Sequence, residues 1–193
     1  VITDYAIDFA ARARELHKPL FLHVAYNAPH FPLQAPRERI DHYMEIYLKG
    51  WDTIREEREA RLRRLGLLSD EEQAAGRGVV PTSQFIDRTR PVPAWEELPE
   101  EQRHDLARRM AIYAAMIDIM DRNIGRLVEA LRDNGQLENT LLLFLSDNGA
   151  CAEWHEFGFD GRSGTNYRIH TADELAGMGQ PGTYHHYGTG WAN

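Results

Sequence analysis

Two short apolar runs with no polar alternation, Leu20 to Tyr26 (Leu-Phe-Leu-His-Val-Ala-Tyr) and Leu141 to Leu145, constrain this chain more than any other feature. Each is far shorter than the roughly 18 to 20 apolar residues that cross a bilayer. Neither shows the period-two pattern of a sheet with one wet face. Pro19 and Pro29 bound the first run; Thr140 and Ser146-Asp147-Asn148-Gly149 bound the second. Both therefore read as strands covered on both faces, as in parallel sheets, with His23 a structural residue of the first.

Helical patterns surround them. Tyr5, Phe9 and Ala13 recur at steps of four within Thr3 to Leu16, and Pro19 closes that segment. Pro36 opens a charged helical stretch to about Leu67. Leu106, Met110, Tyr113, Ile117, Met120, Ile124, Leu127 and Leu131 then mark one face of a long helix that Asn134-Gly135 stops. The order helix, strand, helices, strand predicts an α/β fold, a partial three-layer sandwich with a mostly parallel sheet. In such sheets ligands gather beyond the carboxyl ends of the strands, which here are Asn27 to Pro32 and Ser146 to Gly149. The prolines of the first segment exclude a continuing central strand and predict a rigid loop. Residues 36–100 read as a helical and loop excursion over the sheet, and residues 151–193, with the run Tyr184-His185-His186-Tyr187, as loops over its edge.

Charge narrows the partners. A formal net charge of -8 argues against nucleic acid, which needs a basic face. The Arg and Glu that alternate from Arg55 to Arg64 read as a solvated helix face. No run is long enough to span a membrane and no leader pattern opens the chain. With Cys151 alone no intrachain disulfide forms, so localisation stays open, as does oligomeric state.

Chemistry concentrates at the two strand ends. Asp147 and Asn148 offer a carboxylate and an amide oxygen before a permissive Gly149, a pair suited to Ca2+ or Mg2+ rather than a soft metal. The same tripeptide is a favoured turn, and the residues alone leave both readings standing. His30, between Pro29 and Phe31-Pro32, either reaches the same cleft to bind an oxyanion and protonate a leaving group, or packs on its neighbours.

Three blocks of sequence go further: Ala25-Tyr26-Asn27-Ala28-Pro29-His30-Phe31-Pro32-Leu33-Gln34-Ala35-Pro36, then Tyr113 to Arg126 (Tyr-Ala-Ala-Met-Ile-Asp-Ile-Met-Asp-Arg-Asn-Ile-Gly-Arg), then Leu143-Phe144-Leu145-Ser146-Asp147-Asn148-Gly149-Ala150. In this order and spacing they resemble the sulfatase family, and within it the bacterial arylsulfatase type of the alkaline phosphatase superfamily. The resemblance implies an alkaline phosphatase-like fold and hydrolysis of a small-molecule sulfate ester. It makes Asp147 and Asn148 half of a calcium site, Ca2+ in preference to Mg2+, and His30 a residue that contacts the ester and aids departure of the leaving group. It also implies a formylglycine nucleophile made from Cys or Ser in a Cys/Ser-x-Pro/Ala-x-Arg motif. Cys151, followed by Ala152, Glu153, Trp154 and His155, does not fit that motif and reads as a small buried or loop residue. The chain accordingly reads as the central part of a sulfatase catalytic domain, inactive alone, with its N-terminal and C-terminal parts absent. His185 and His186 read as residues that support a site from behind, or as loop residues, rather than as ligands. A phosphonate or phosphodiester hydrolase of the same superfamily, or a non-catalytic binding fragment, stays open beside it.

Overall fold

The computed structural model describes residues 1–69, 92–151, 155–162 and 166–192. Its regular structure is helical: α1 (Ile2–Glu15), α2 (Arg37–Tyr47), α3 (Gly50–Arg64), α4 (Glu100–Asp133), and the single turns α5 (Ala172–Leu175) and α6 (Thr189–Ala192). Short 3-10 turns cover Trp95–Glu97 and Leu137–Asn139. No helix among the described residues is long and apolar enough to cross a membrane.

The expected parallel sheet, and with it the three-layer sandwich, is overturned. Among the described residues there is no strand, only an isolated antiparallel bridge between Asp160 and His185. Residues 20–27 and 141–146 carry no ladder. Phe21 is 95% exposed, and Leu141 to Leu145 are all exposed. Apolar composition without alternation states that a run could be covered on both faces. A strand requires in addition a neighbouring backbone to pair with, and that requirement is not written in the run itself.

The helix expectations fare better. The long stripe from Leu106 to Leu131 lies within α4, 34 residues or about 50 Å at 1.5 Å per residue. Gly135 closes it at φ 67°, with Gln136 N–H donating to Leu131 O at 2.8 Å and Gly135 N–H to Arg132 O at 2.9 Å. That is the crossed pair of bonds that satisfies the last carbonyls of a helix through a left-handed residue. The charged stretch after Pro36 divides into α2 and α3. Helix α1 ends before Pro19, because His17 takes φ 53° and Lys18 N–H donates to Ala13 O at 2.9 Å. Its buried face is Thr3, Ala6 and Ala10, whereas Tyr5 and Phe9 are more than half exposed and stack on each other. The period of four found the helix but named the wrong face. Residues 70–91 of the expected excursion lie outside the described residues.

The chain forms two compact units. The first joins residues 1–30 to residues 116–149. In it Arg126 donates to Asp4 at 2.7 Å, and the buried Thr3 hydroxyl meets the Tyr26 phenol at 2.9 Å. The second joins residues 31–115 to residues 150–193. Its centre is the first half of α4, where Leu106, Ala107, Ala111, Ile112 and Ala115 are fully buried. Beside them Trp51, Trp95 and Trp191 meet edge to face with centroids 4.9 to 5.7 Å apart. Two of the indole N–H groups find backbone acceptors: Trp51 donates to Pro93 O at 3.2 Å and Trp191 to Leu106 O at 3.1 Å. Rings of this size each bury a large apolar area, and all three lie in the core of the second unit.

Candidate functional site

Asp147 and Asn148 form a bend in the first unit, both exposed. The Asn148 amide nitrogen donates to Gly149 O at 2.9 Å and the Ser146 hydroxyl donates to Asn148 O at 2.6 Å. That arrangement fixes the turn and orients the Asn148 side chain by its nitrogen, leaving Oδ1 as the acceptor atom on the other side. His30 is exposed in the same unit, at the close of a turn in which its N–H donates to Asn27 O at 2.9 Å. The prolines on either side, Pro29 and Pro32, follow cis peptide bonds. The carboxylate and amide oxygens of the pair are hard donors and match a calcium-type ion in chemistry. Two such ligands are a minor part of its six to eight.

The densest constellation of ionisable groups lies in the second unit, where sequence reasoning assigned no site. Arg109, on α4, has no solvent exposure, and all five of its N–H groups have acceptors. Nε donates to Asp105 Oδ2 at 2.7 Å. Nη1 donates to Phe159 O and His186 O, each at 3.1 Å. Nη2 donates to Asp160 Oδ2 at 2.9 Å and Arg168 O at 3.2 Å. One side chain thus ties three loop segments to the helix.

Around it stand three potential metal ligands, Asp160, His170 and His185, whose donor atoms all lie within 4.8 Å of one another. His185 Nδ1 is 2.7 Å from Asp160 Oδ1. His170 Nδ1 is 2.7 Å from Oδ1 of Asp105, itself fully buried. A carboxylate accepts, so His170 carries a proton on Nδ1, and Nε2 is the ring nitrogen that a metal could take. The 3.5 Å approach of Arg109 Nη2 to the same Nδ1 is then a packing contact, because a nitrogen that donates has no lone pair to accept with.

Electrostatics agree with the geometry. Burial works against ionising Asp160, but the hydrogen bond from His185, and then the bond and charge of Arg109, outweigh it and hold the carboxyl well below the usual range. Burial likewise opposes ionisation of Asp105, and the His170 hydrogen bond with the Arg109 charge lowers it. Burial opposes the charge on Arg109 too, and its two carboxylate partners restore it.

The loops hold this cluster through a backbone crossing. Gly158 and Gly188 have φ of 88° and 81°, and a Cβ on Gly188 would lie 2.1 Å from Gly158 N. The crossing lets His186 N–H donate to Phe159 O at 3.0 Å and lays the Phe159 ring on the His186 ring, 4.7 Å apart and nearly parallel. It brings Asp160 opposite His185. His185 and His186, read from sequence as loop residues, are both buried. The signal that could have found them was the pair Asp105 and Arg109, four apart on either side of the buried Leu106: a charge pair beside an apolar stripe must find partners.

Cys151 is partly buried, its N–H donating to the Tyr187 hydroxyl at 2.7 Å, and burial raises the Tyr187 phenol.

The comparisons with known proteins bear on the whole chain. The sulfatase family model matches residues 1–190. An arylsulfatase of Klebsiella aerogenes is 36% identical over 183 residues, which cover 94% of this chain and 36% of that protein. An uncharacterized sulfatase of Schizosaccharomyces pombe is 37% identical over 137 residues, 71% of this chain and 23% of that one. The human iduronate 2-sulfatase is 26% identical over 168 residues, 80% of this chain and 27% of that one. The chain therefore spans about a quarter to a third of the length of these relatives.

Proposed function

The chain belongs to the sulfatase family, and from that premise we propose that it serves a sulfuric ester hydrolase of the arylsulfatase type, acting on a small-molecule sulfate ester. The observation that carries this reading is the match over residues 1–190, which takes in all three sequence blocks around His30, Tyr113 to Arg126 and Asp147-Asn148.

Asp147 and Asn148 are the residues that would hold Ca2+, through a carboxylate oxygen and the amide Oδ1. Calcium, when bound, supplies positive charge that offsets the negative charge on sulfate oxygens. His30 contacts the ester and holds a proton for the departing alcohol or phenol oxygen. The nucleophile falls outside these 193 residues, since Cys151 lacks the Pro/Ala and Arg that a formylglycine site requires.

Hydrolysis of 4-nitrophenyl sulfate by the longer protein, with and without this chain's variants, tests the reading. His30→Ala is expected to lower kcat by about 100-fold or more, and Asp147→Asn to weaken calcium binding. The 193 residues alone are expected to give no turnover. Turnover by them would overturn the placing of the nucleophile. A longer protein that cleaves phosphonate esters and not sulfates would overturn the substrate.

A further inference from the structure

We propose that Asp160, His170 and His185 bind a transition-metal dication, Zn2+ above all, with Asp105 fixing one of the ligands from behind. The inference is independent of the sulfatase reaction and rests on the second unit alone.

The spacing is suited to a small ion. A tetrahedral zinc with bonds of about 2.0 to 2.1 Å places its ligand atoms about 3.3 Å apart. His170 Nε2 and Asp160 Oδ1 are 3.9 Å apart, too far for a hydrogen bond and close to that edge. His185 Nδ1 and Asp160 Oδ1, at 2.7 Å, are a hydrogen-bonded pair; metal would take Nδ1 as the imidazole proton passes through solvent to Nε2, and would widen the pair by well under 1 Å. All three ligand atoms lie within 4.8 Å of one another, a spread that imidazole rotation can narrow.

The outer partners are the kind such sites use. A metal-bound histidine ordinarily gives its other N–H to a carboxylate, which sets the tautomer and aims the ring. His170 does so to Asp105, a carboxylate with no solvent exposure that Arg109 and the His170 backbone N–H hold in turn. Arg109 takes Oδ2 of Asp160 and leaves Oδ1 on the histidine side. Two carboxylates stand against one guanidinium, an excess of negative charge that attracts a cation. Two imidazoles among three ligands select zinc, cobalt or nickel over calcium or magnesium. Asp160 and His185 retain 16% and 10% exposure, so a fourth ligand, water or a small anion, has access.

Metal analysis of the purified 193-residue chain after dialysis against Zn2+, with visible spectroscopy after dialysis against Co2+, tests this. One tightly held equivalent is expected, with cobalt absorption of the intense four- or five-coordinate kind. His170→Gln and His185→Gln should each abolish it, Asp105→Asn should weaken it about 10- to 100-fold, and His17→Gln, at an exposed position, should leave it intact. Because a cluster variant could fail to fold, histidine-ring 15N spectra of the unaltered chain provide a second readout: Zn2+ should move His170 and His185. Absence of a stoichiometric equivalent, binding that survives in both folded variants, or shifts confined to other histidines would overturn the proposal.

Discussion

The Arg109 guanidinium meets the Asp160 carboxylate at 2.9 Å across 51 residues of chain, with the arginine wholly buried. This pair and its companion at Asp105 bear on the stability of the second unit, because removing the cation takes one donor from each of two buried or half-buried carboxylates and three carbonyls, and leaves both carboxylates without their countercharge. Breaking a buried pair from one side costs about 3 to 5 kcal/mol. Arg109→Met is therefore expected to destabilise the second unit by that amount in urea unfolding. Tryptophan fluorescence is the appropriate probe, since Trp51, Trp95 and Trp191 lie in that unit's core. A loss below about 1 kcal/mol would contradict the hub role.

The crossing of Gly158 and Gly188 yields a second expectation. Any side chain at either position meets backbone rather than a yielding side-chain tip, with His186 O 2.0 Å from a Cβ on Gly158. The positive φ adds the ordinary penalty of about 1 to 3 kcal/mol for a non-glycine residue. Gly188→Ala should cost at least about 2 kcal/mol, whereas Gly182→Ala, with positive φ but open space around it, should pay the conformational penalty alone. Equal losses for the two variants would show that the crossing adds nothing.

These two predictions mark where the sequence was legible and where it was not. Helix α4 and its stop were written in a local stripe and an Asn-Gly pair, both properties of adjacent turns. The family was written in contiguous blocks. The cluster around Arg109 was not, because its members come from 105, 109, 160, 170 and 185 and meet only once the loops have crossed at two glycines. The sheet failed for a related reason: Leu20 to Tyr26 and Leu141 to Leu145 are apolar, but pairing belongs to a second segment and not to the run.

Glu174 gives a pH prediction with a definite sign. Its carboxylate is held down to about 2 from an ordinary 4.5, first by the Arg168 side chain and then by the Thr171 N–H at the start of α5. A carboxyl lowered by folding contributes stability above its unfolded value and loses it as pH falls through the folded one. Order in α5 should therefore persist through pH 4 and fade toward about pH 2, followed by the Glu174 side-chain carbon shift in NMR. Arg168→Ala should raise the midpoint toward the ordinary value. A midpoint already near 4.5 in the unaltered chain would refute the assignment.

The exposed apolar runs carry the last expectation. Phe21 at 95%, Leu141 at 84% and Leu145 at 82% exposure belong to one unit, together with exposed Val1, Tyr5 and Phe9. Exposed apolar surface of this kind favours association by about 25 cal/mol per Å² covered. The net charge of -8 opposes association only weakly at physiological salt, where charges more than about 8 Å apart are screened. The 193-residue chain is expected to self-associate with rising concentration in light scattering, more strongly as salt is added. Leu143→Lys with Phe21→Lys should shift it toward monomer, while Leu65→Lys, an exposed leucine of the other unit, should not. A chain that stays monomeric at high salt, or a Leu65 variant as effective as the pair, would remove the runs from that role.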